Sequence, residues 1–324
     1  MRVVTGIVDA LFLTRPVLWI PVWGFSVLGL HRRVAVSQGG GIPPLWRATP
    51  WPVPTALFLF SASVGAVYVL NQIADRDTDS RNEGFALLAQ GNLSRLVAWI
   101  ACGVCATVAV AGPPMIGFPG VAGASLAALA VGVVYSCRPL RLSGKPGADF
   151  LTNAAGYALI AFGVGWSLGG EGWGGVKPFV VAAAPYFFMM CGGSISSTIP
   201  DVPGDLATGK RTTAVALGPD WAHLLATLFV AAGLAAAMVT GDLPALVGAA
   251  AALPLYVVYA FRKTTMLREA TYKVGGGILM LCAAVLFPVF ASAAVIVATA
   301  TLFYFRLRHG LTYPSLRPAR KEDS

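Results

Sequence analysis

Long apolar runs separated by short polar stretches repeat along the whole chain, and that alternation predicts its elements. Apolar runs occupy about 16–31, 53–73, 95–112, 117–136, 150–168, 179–199, 221–240 and 243–261. Most approach the ~20 residues a helix needs to cross a bilayer. A last run, 274–305, is too long for one upright crossing and tight for two, and Pro288 within it can kink a helix. The longest polar stretches are 32–51, 74–94, 137–149 and 200–220. The pattern predicts an all-α polytopic membrane protein, one transmembrane domain over 1–324, with about nine crossings. The opening MRVVTGIVDALFLTRPVLWIP superficially resembles a signal peptide, but Arg15-Pro16 interrupts it and no small-residue cleavage site follows. It reads as a short interfacial lead into the first crossing.

Composition sharpens this picture. The chain is 56% hydrophobic and 11% charged, against about 25% charged for a soluble domain, and its mean hydropathy is +0.72. The net charge of +9 is distributed unevenly. Even-numbered connections carry Arg76, Arg81, Arg95, Arg138, Arg141, Lys145, Lys210, Arg211, Arg262, Lys263, Arg268 and Lys273. Odd-numbered ones hold Arg32, Arg33, Arg47 and Lys177. Basic loops stay inside, so the even side is expected to be cytoplasmic, in the cell membrane and beside anionic lipid headgroups. The basic tail (Arg306, Arg308, Arg317, Arg320, Lys321) disagrees, because nine crossings put it outside. No basic helix or aromatic-rich soluble domain offers a surface for nucleic acid. Cys102 and Cys105 form a CxxC inside an apolar run without His or acids nearby, and read as small core residues. His31, His223 and His309 stand near span ends and read as interfacial.

The acids are concentrated. Asn71, Asp75 and Asp79 recur every four residues at the end of the second apolar run, and Asp201 and Asp205 repeat the spacing after the sixth. Residues four apart share a helix face. A charge at membrane depth costs roughly 2.5–3.5 kcal/mol on insertion scales, so two carboxylate sets ask for a cation. Groups of hard oxygens suit Mg²⁺, which takes a few carboxylates together with phosphate oxygens. Charge-rich span ends are also common, and solvated loops are the plain alternative. Four runs separate the two sets, as in a parallel repeat of two four-helix units whose acidic ends face across a central cavity.

Counter-charge lies nearby. Lys210 and Arg211 follow the second set, and Arg138, Arg141 and Lys145 stand in YSCRPLRLSGKPGAD, residues 135–149, after Tyr135 and Ser136. Pro139 and the Gly144/Pro146/Gly147 group make a rigid turn suited to aiming Arg141 and Lys145 inward at a phosphate. Asp149, Asn153 and Tyr157 form a polar stripe that either lines a cavity or holds helices together. Of the aromatics Trp19, Trp23, Phe58, Phe60 and Tyr68, most are expected to face lipid or the interface. Tyr68, one turn before Asn71, is the cavity candidate.

Together these motifs resemble the UbiA superfamily of intramembrane prenyltransferases. NQIADRDTD is similar to its first aspartate-rich motif, DVPGDLATGKRTTAVALG to its second, and YSCRPLRL to the basic loop between them. The resemblance spans the chain and implies nine helices around a cavity open to lipid. It implies that Asn71, Asp75, Asp79, Asp201 and Asp205 hold Mg²⁺ and an isoprenyl diphosphate. Arg141, Lys145 and Lys210 or Arg211 then neutralise the leaving diphosphate; beside the resemblance, Tyr68, Tyr135 and Asn153 are the residues expected at the substrate site from their positions. A lipophilic acceptor, aromatic or quinone-like, captures the allylic cation. Two departures stand out. RNEGFALLAQGN replaces the usual basic-Pro element after Asp79, with Arg81 as its substitute, and Gln72 replaces a frequent Asp, as in chlorophyll-synthase-like branches. The alternatives are a membrane terpene cyclase, which needs no acceptor, and a metal-coupled transporter, which releases no diphosphate.

Overall fold

The computed structural model describes residues 2–39, 52–75, 87–88 and 93–313. A short helix α1 (Arg2–Leu13) leads into α2 (Trp19–Ser37), followed by α3 (Pro52–Ala74), α4 (Arg95–Met115) and α5 (Pro119–Ser136). Next come α6 (Ala148–Leu168), α7 (Val176–Thr198), α8 (Pro219–Thr240), α9 (Leu243–Phe261), α10 (Thr265–Leu286) and α11 (Pro288–His309). There is no strand among the described residues. Polar side chains start several helices by accepting from otherwise unpaired amides: Ser94 from Val97, Asp242 from Ala245 and Thr264 from Leu267.

Ten helices among the described residues are long and apolar enough to cross a membrane, one more than expected. The difference lies in the last apolar run. Phe287 leaves helical geometry, Pro288 opens a new helix, and Thr264 caps α10 upstream of the apolar stretch. Arg268 and Lys273, expected in a connection, lie in its first turns. The extra crossing returns the end of α11 to α1: Arg308 donates to Asp9 at 2.9 Å, Tyr304 donates to it at 2.8 Å, and Phe12 stacks on Tyr304. Gln72 of α3 donates to the Leu13 carbonyl at 2.8 Å. The basic tail therefore starts at the acidic end of α3, which removes the disagreement in the loop charges.

Neighbour relations recur in the two four-helix groups. Helix α4 packs on α3 and α5, as α8 packs on α7 and α9, while α10 closes on α2 and α7. The centre holds Phe60, Phe162, Trp166 and Tyr186, all essentially inaccessible. Helices α2 and α6 approach backbone to backbone, since a Cβ at Gly165 would overlap the Ser26 carbonyl and one at Gly29 the Phe162 carbonyl. Small residues permit this closeness within a bilayer. Trp19, Trp23 and Phe60 are buried, contrary to the lipid-facing expectation, and only Phe58 is exposed. Trp23 donates to Ser61, which satisfies its indole N–H inside the bundle. His31 and His223 are likewise buried instead of interfacial, and His223 stacks on Tyr256.

Candidate active site

A cavity of about 150 Å³ opens between α2, α3, α5 and α6. Val22, Phe60, Val64 and Ile160 make it apolar, while Tyr68, Asn71, Tyr135, Ser136, Asn153 and Tyr157 give it a polar end. The Tyr68 and Tyr157 hydroxyls lie 2.9 Å apart. Tyr157 stands in a stretch of π-helix, Gly156–Ala161, set inside α6. Such wide turns displace a side chain from the α-helical register and gather at functional sites. Of the polar stripe, Asn153 and Tyr157 line the cavity, and Asn153 also donates to Ser194 of α7 at 2.8 Å.

At the cavity mouth the Asp75 carboxylate has two partners among the described residues. Arg141 donates to one oxygen at 2.6 Å, and the Asn71 amide donates to the other at 3.0 Å. The same amide reaches Ser136 at 3.4 Å. Arg141 does this from left-handed backbone (φ 37°), a conformation costing a non-glycine residue roughly 1–2 kcal/mol. Tyr135, behind this cluster, lies within electrostatic reach of Asp75, Asp149 and Asp205.

The second aspartate set follows α7 on a 3-10 turn, Ile199–Asp201, and a short helix, Val202–Ala207. Asp205 is 9% exposed, stands 3.6 Å from Lys210, and accepts from Thr212 at 3.2 Å. Asp201 is exposed and forms no ion pair among the described residues. Arg268 of α10 lies within electrostatic reach of Asp201, and its buried Nε has no hydrogen-bond partner among the described residues. In the sequence Arg268 reads only as one of the basic residues of a connection, with no signal of its place near Asp201. Asp149 turns away from the cavity and binds Thr213. The structure thus gathers Tyr68, Asn71, Asp75, Tyr135, Arg141 and Asn153 at the cavity and its mouth, and places Asp205 with Lys210 beside them. Lys145 and Arg211 are exposed, without ion pairs among the described residues. Asp79 and Arg81 lie outside the described residues.

No three His, Cys, Asp or Glu side chains converge among the described residues. The donors instead come in carboxylate sets from two motifs. That suits a cation which takes one or two carboxylates and completes its shell with water and phosphate oxygens, as Mg²⁺ does. The donor set fits that ion.

Residues 22–271 match the model of the UbiA prenyltransferase family. The chain belongs to that family. The shared fold is plain in a UbiA homologue from Archaeoglobus fulgidus bound to GPP and Mg²⁺: TM-score 0.67, 20% identity, 90% of this chain and 99% of that one. An apo UbiA homologue from Aeropyrum pernix K1 aligns with TM-score 0.58 and 17% identity, over 87% of this chain and 98% of that one. In sequence, the lycopene elongase/hydratase of Halobacterium salinarum is 30% identical over 211 residues, 64% of this chain and 70% of that protein. Its Haloferax volcanii counterpart is 28% identical over 260 residues, 76% of this chain and 78% of that protein. This UbiA protein is an integral membrane prenyltransferase.

Proposed function

We propose that this UbiA enzyme transfers an isoprenyl group from a prenyl diphosphate to a carbon–carbon double bond of a lipophilic acceptor. The observation that carries the reading is the Asn71–Asp75–Arg141 cluster at the mouth of an apolar cavity walled by paired tyrosines. The cavity takes the chain and the cluster its charged head. Asp75, Asp201 and Asp205, with Asp79, would hold Mg²⁺. Mg²⁺ supplies Lewis-acid stabilisation of the departing diphosphate.

The protein's own groups do the rest. Arg141 and Lys210 bring positive charge to the diphosphate as the allylic C–O bond breaks and its electron pair leaves with oxygen. The Tyr68 and Tyr157 rings, which line the cavity, are assigned to stabilising the cationic chain through their π faces. Val22, Val64 and Ile160 exclude water from that cation. The π electrons of the acceptor then form the new carbon–carbon bond, and the cationic adduct loses a proton, either directly or after capturing water as an alcohol. The active site faces the cytoplasm, in keeping with the basic loops on its side of the bundle.

We place a linear polyene such as lycopene first among acceptors, ahead of an aromatic or quinone-like one, a choice supported by the names of the lycopene elongase/hydratase relatives. Purified enzyme with Mg²⁺ and geranyl, farnesyl or geranylgeranyl diphosphate should release diphosphate only when an acceptor is present. Mass spectrometry should then find the acceptor enlarged by the prenyl unit. Diphosphate release with a hydrocarbon or alcohol and no acceptor would establish the cyclase alternative. No release under any condition would sink the transferase reading.

A further inference from the structure

The loop joining α5 to α6 is bonded to both aspartate motifs. At one end Arg141 holds Asp75. At the other, the Gly147 amide donates to the Thr213 hydroxyl at 2.8 Å, and that hydroxyl donates to Asp149 at 2.5 Å. The Thr213 amide donates to the second Asp149 oxygen at 2.7 Å. Asp149 is 5% exposed and Thr213 3%. The adjacent Thr212 donates to Asp205 and accepts from the Val215 amide.

A buried carboxylate is costly unless its oxygens are hydrogen-bonded. Asp149 uses both of them on one threonine, in the segment that follows the second aspartate set. We infer that Asp149 and Thr213 are positioning residues, which lock the Arg141 loop and Asp205 into one frame around the diphosphate. Asp75–Arg141 and Asp149–Thr213–Thr212–Asp205 are the two arms of that frame, with residues 141–149 as the strap between them. Preorganised charge of this kind needs no rearrangement as diphosphate develops. The inference rests on the transferase reading, and its test separates the two.

The test uses full-length enzyme in lipid nanodiscs, inorganic pyrophosphate with Mg²⁺ as a binding probe, and KM and kcat for geranyl diphosphate with lycopene as acceptor. Thr213→Val and Asp149→Asn should each weaken pyrophosphate binding and raise KM about tenfold, the scale of one lost charge-assisted hydrogen bond. Thr213→Ser, which keeps the hydroxyl, should restore wild-type values. Unchanged affinity and KM with only a lowered Tm would mean a plain structural tie and overturn the inference. A wild-type measurement covers variants that do not fold: pyrophosphate should slow amide exchange across 141–149 and 205–215 together. Protection of one segment alone would refute the shared frame. Wild-type enzyme that binds no pyrophosphate and turns over no prenyl diphosphate would remove the transferase reading itself.

Discussion

Among the described residues, Arg141 is bonded to one oxygen of Asp75 and the Asn71 amide to the other. Arg141→Ala strips Asp75 of its counter-charge and, in the proposed mechanism, the leaving group of a donor. We expect kcat/KM to fall by about 10²–10³, the scale of losing one preorganised electrostatic contact. Arg138→Ala, at an exposed position of the same loop, should leave kcat/KM near wild type. Asp75→Ala and Asp201→Ala should each abolish turnover while the protein still folds, and near-normal activity in either would remove the metal-site proposal. Tyr157→Phe keeps the ring and should retain most activity, whereas Tyr157→Leu should lower kcat, as single-turnover assays can check. Asn71 and Asp75 were legible in sequence because a helix turns a spacing of four into a shared face. Asp149 and Thr213 were not: they lie 64 positions apart, and only packing of α6 against the segment after α7 brings them together. Arg268 was hidden differently, since a basic residue near a span end already satisfied the rule for cytoplasmic loops.

At the scale of elements, the apolar runs marked almost every helix, because each bilayer crossing writes its own length into the chain. Burial within the bundle was less legible. Trp23 and Phe60 carry the same hydropathy whether they face lipid or a neighbouring helix, and contact decided that they are buried. The π-helical stretch at Gly156–Ala161 has no hydropathy signature either, although it helps place Tyr157 opposite Tyr68. Helices α2 and α6 depend on Gly29 and Gly165, where a side chain would meet backbone. Gly165→Ala should destabilise the fold by about 1–3 kcal/mol through overpacking, read as a lower Tm in detergent. Gly276→Ala on α10 adds a Cβ into open space and should be neutral or slightly stabilising, because alanine favours helix.

For the whole molecule, the number of crossings decides where the chain ends. Nine crossings would place the basic tail opposite the aspartate motifs, against the distribution of positive charge in every other connection. Division of the last apolar run at Phe287–Pro288 reverses this parity. The Asp9–Arg308 and Asp9–Tyr304 contacts join the end of α11 to α1, and Gln72 ties the α1 corner to α3 one residue from Asn71. A cysteine placed at Leu311, in a background lacking the five native cysteines, should therefore react with a membrane-impermeant thiol reagent from the same face as one at Leu206. A cysteine at Glu171, in the connection between α6 and α7, should react from the opposite face. Labelling of Leu311 and Glu171 from one side would restore nine crossings and separate the tail from the active-site end. Labelling of Leu311 with Leu206 would place the tail beside the basic loops, where the charge of the whole chain obeys one rule.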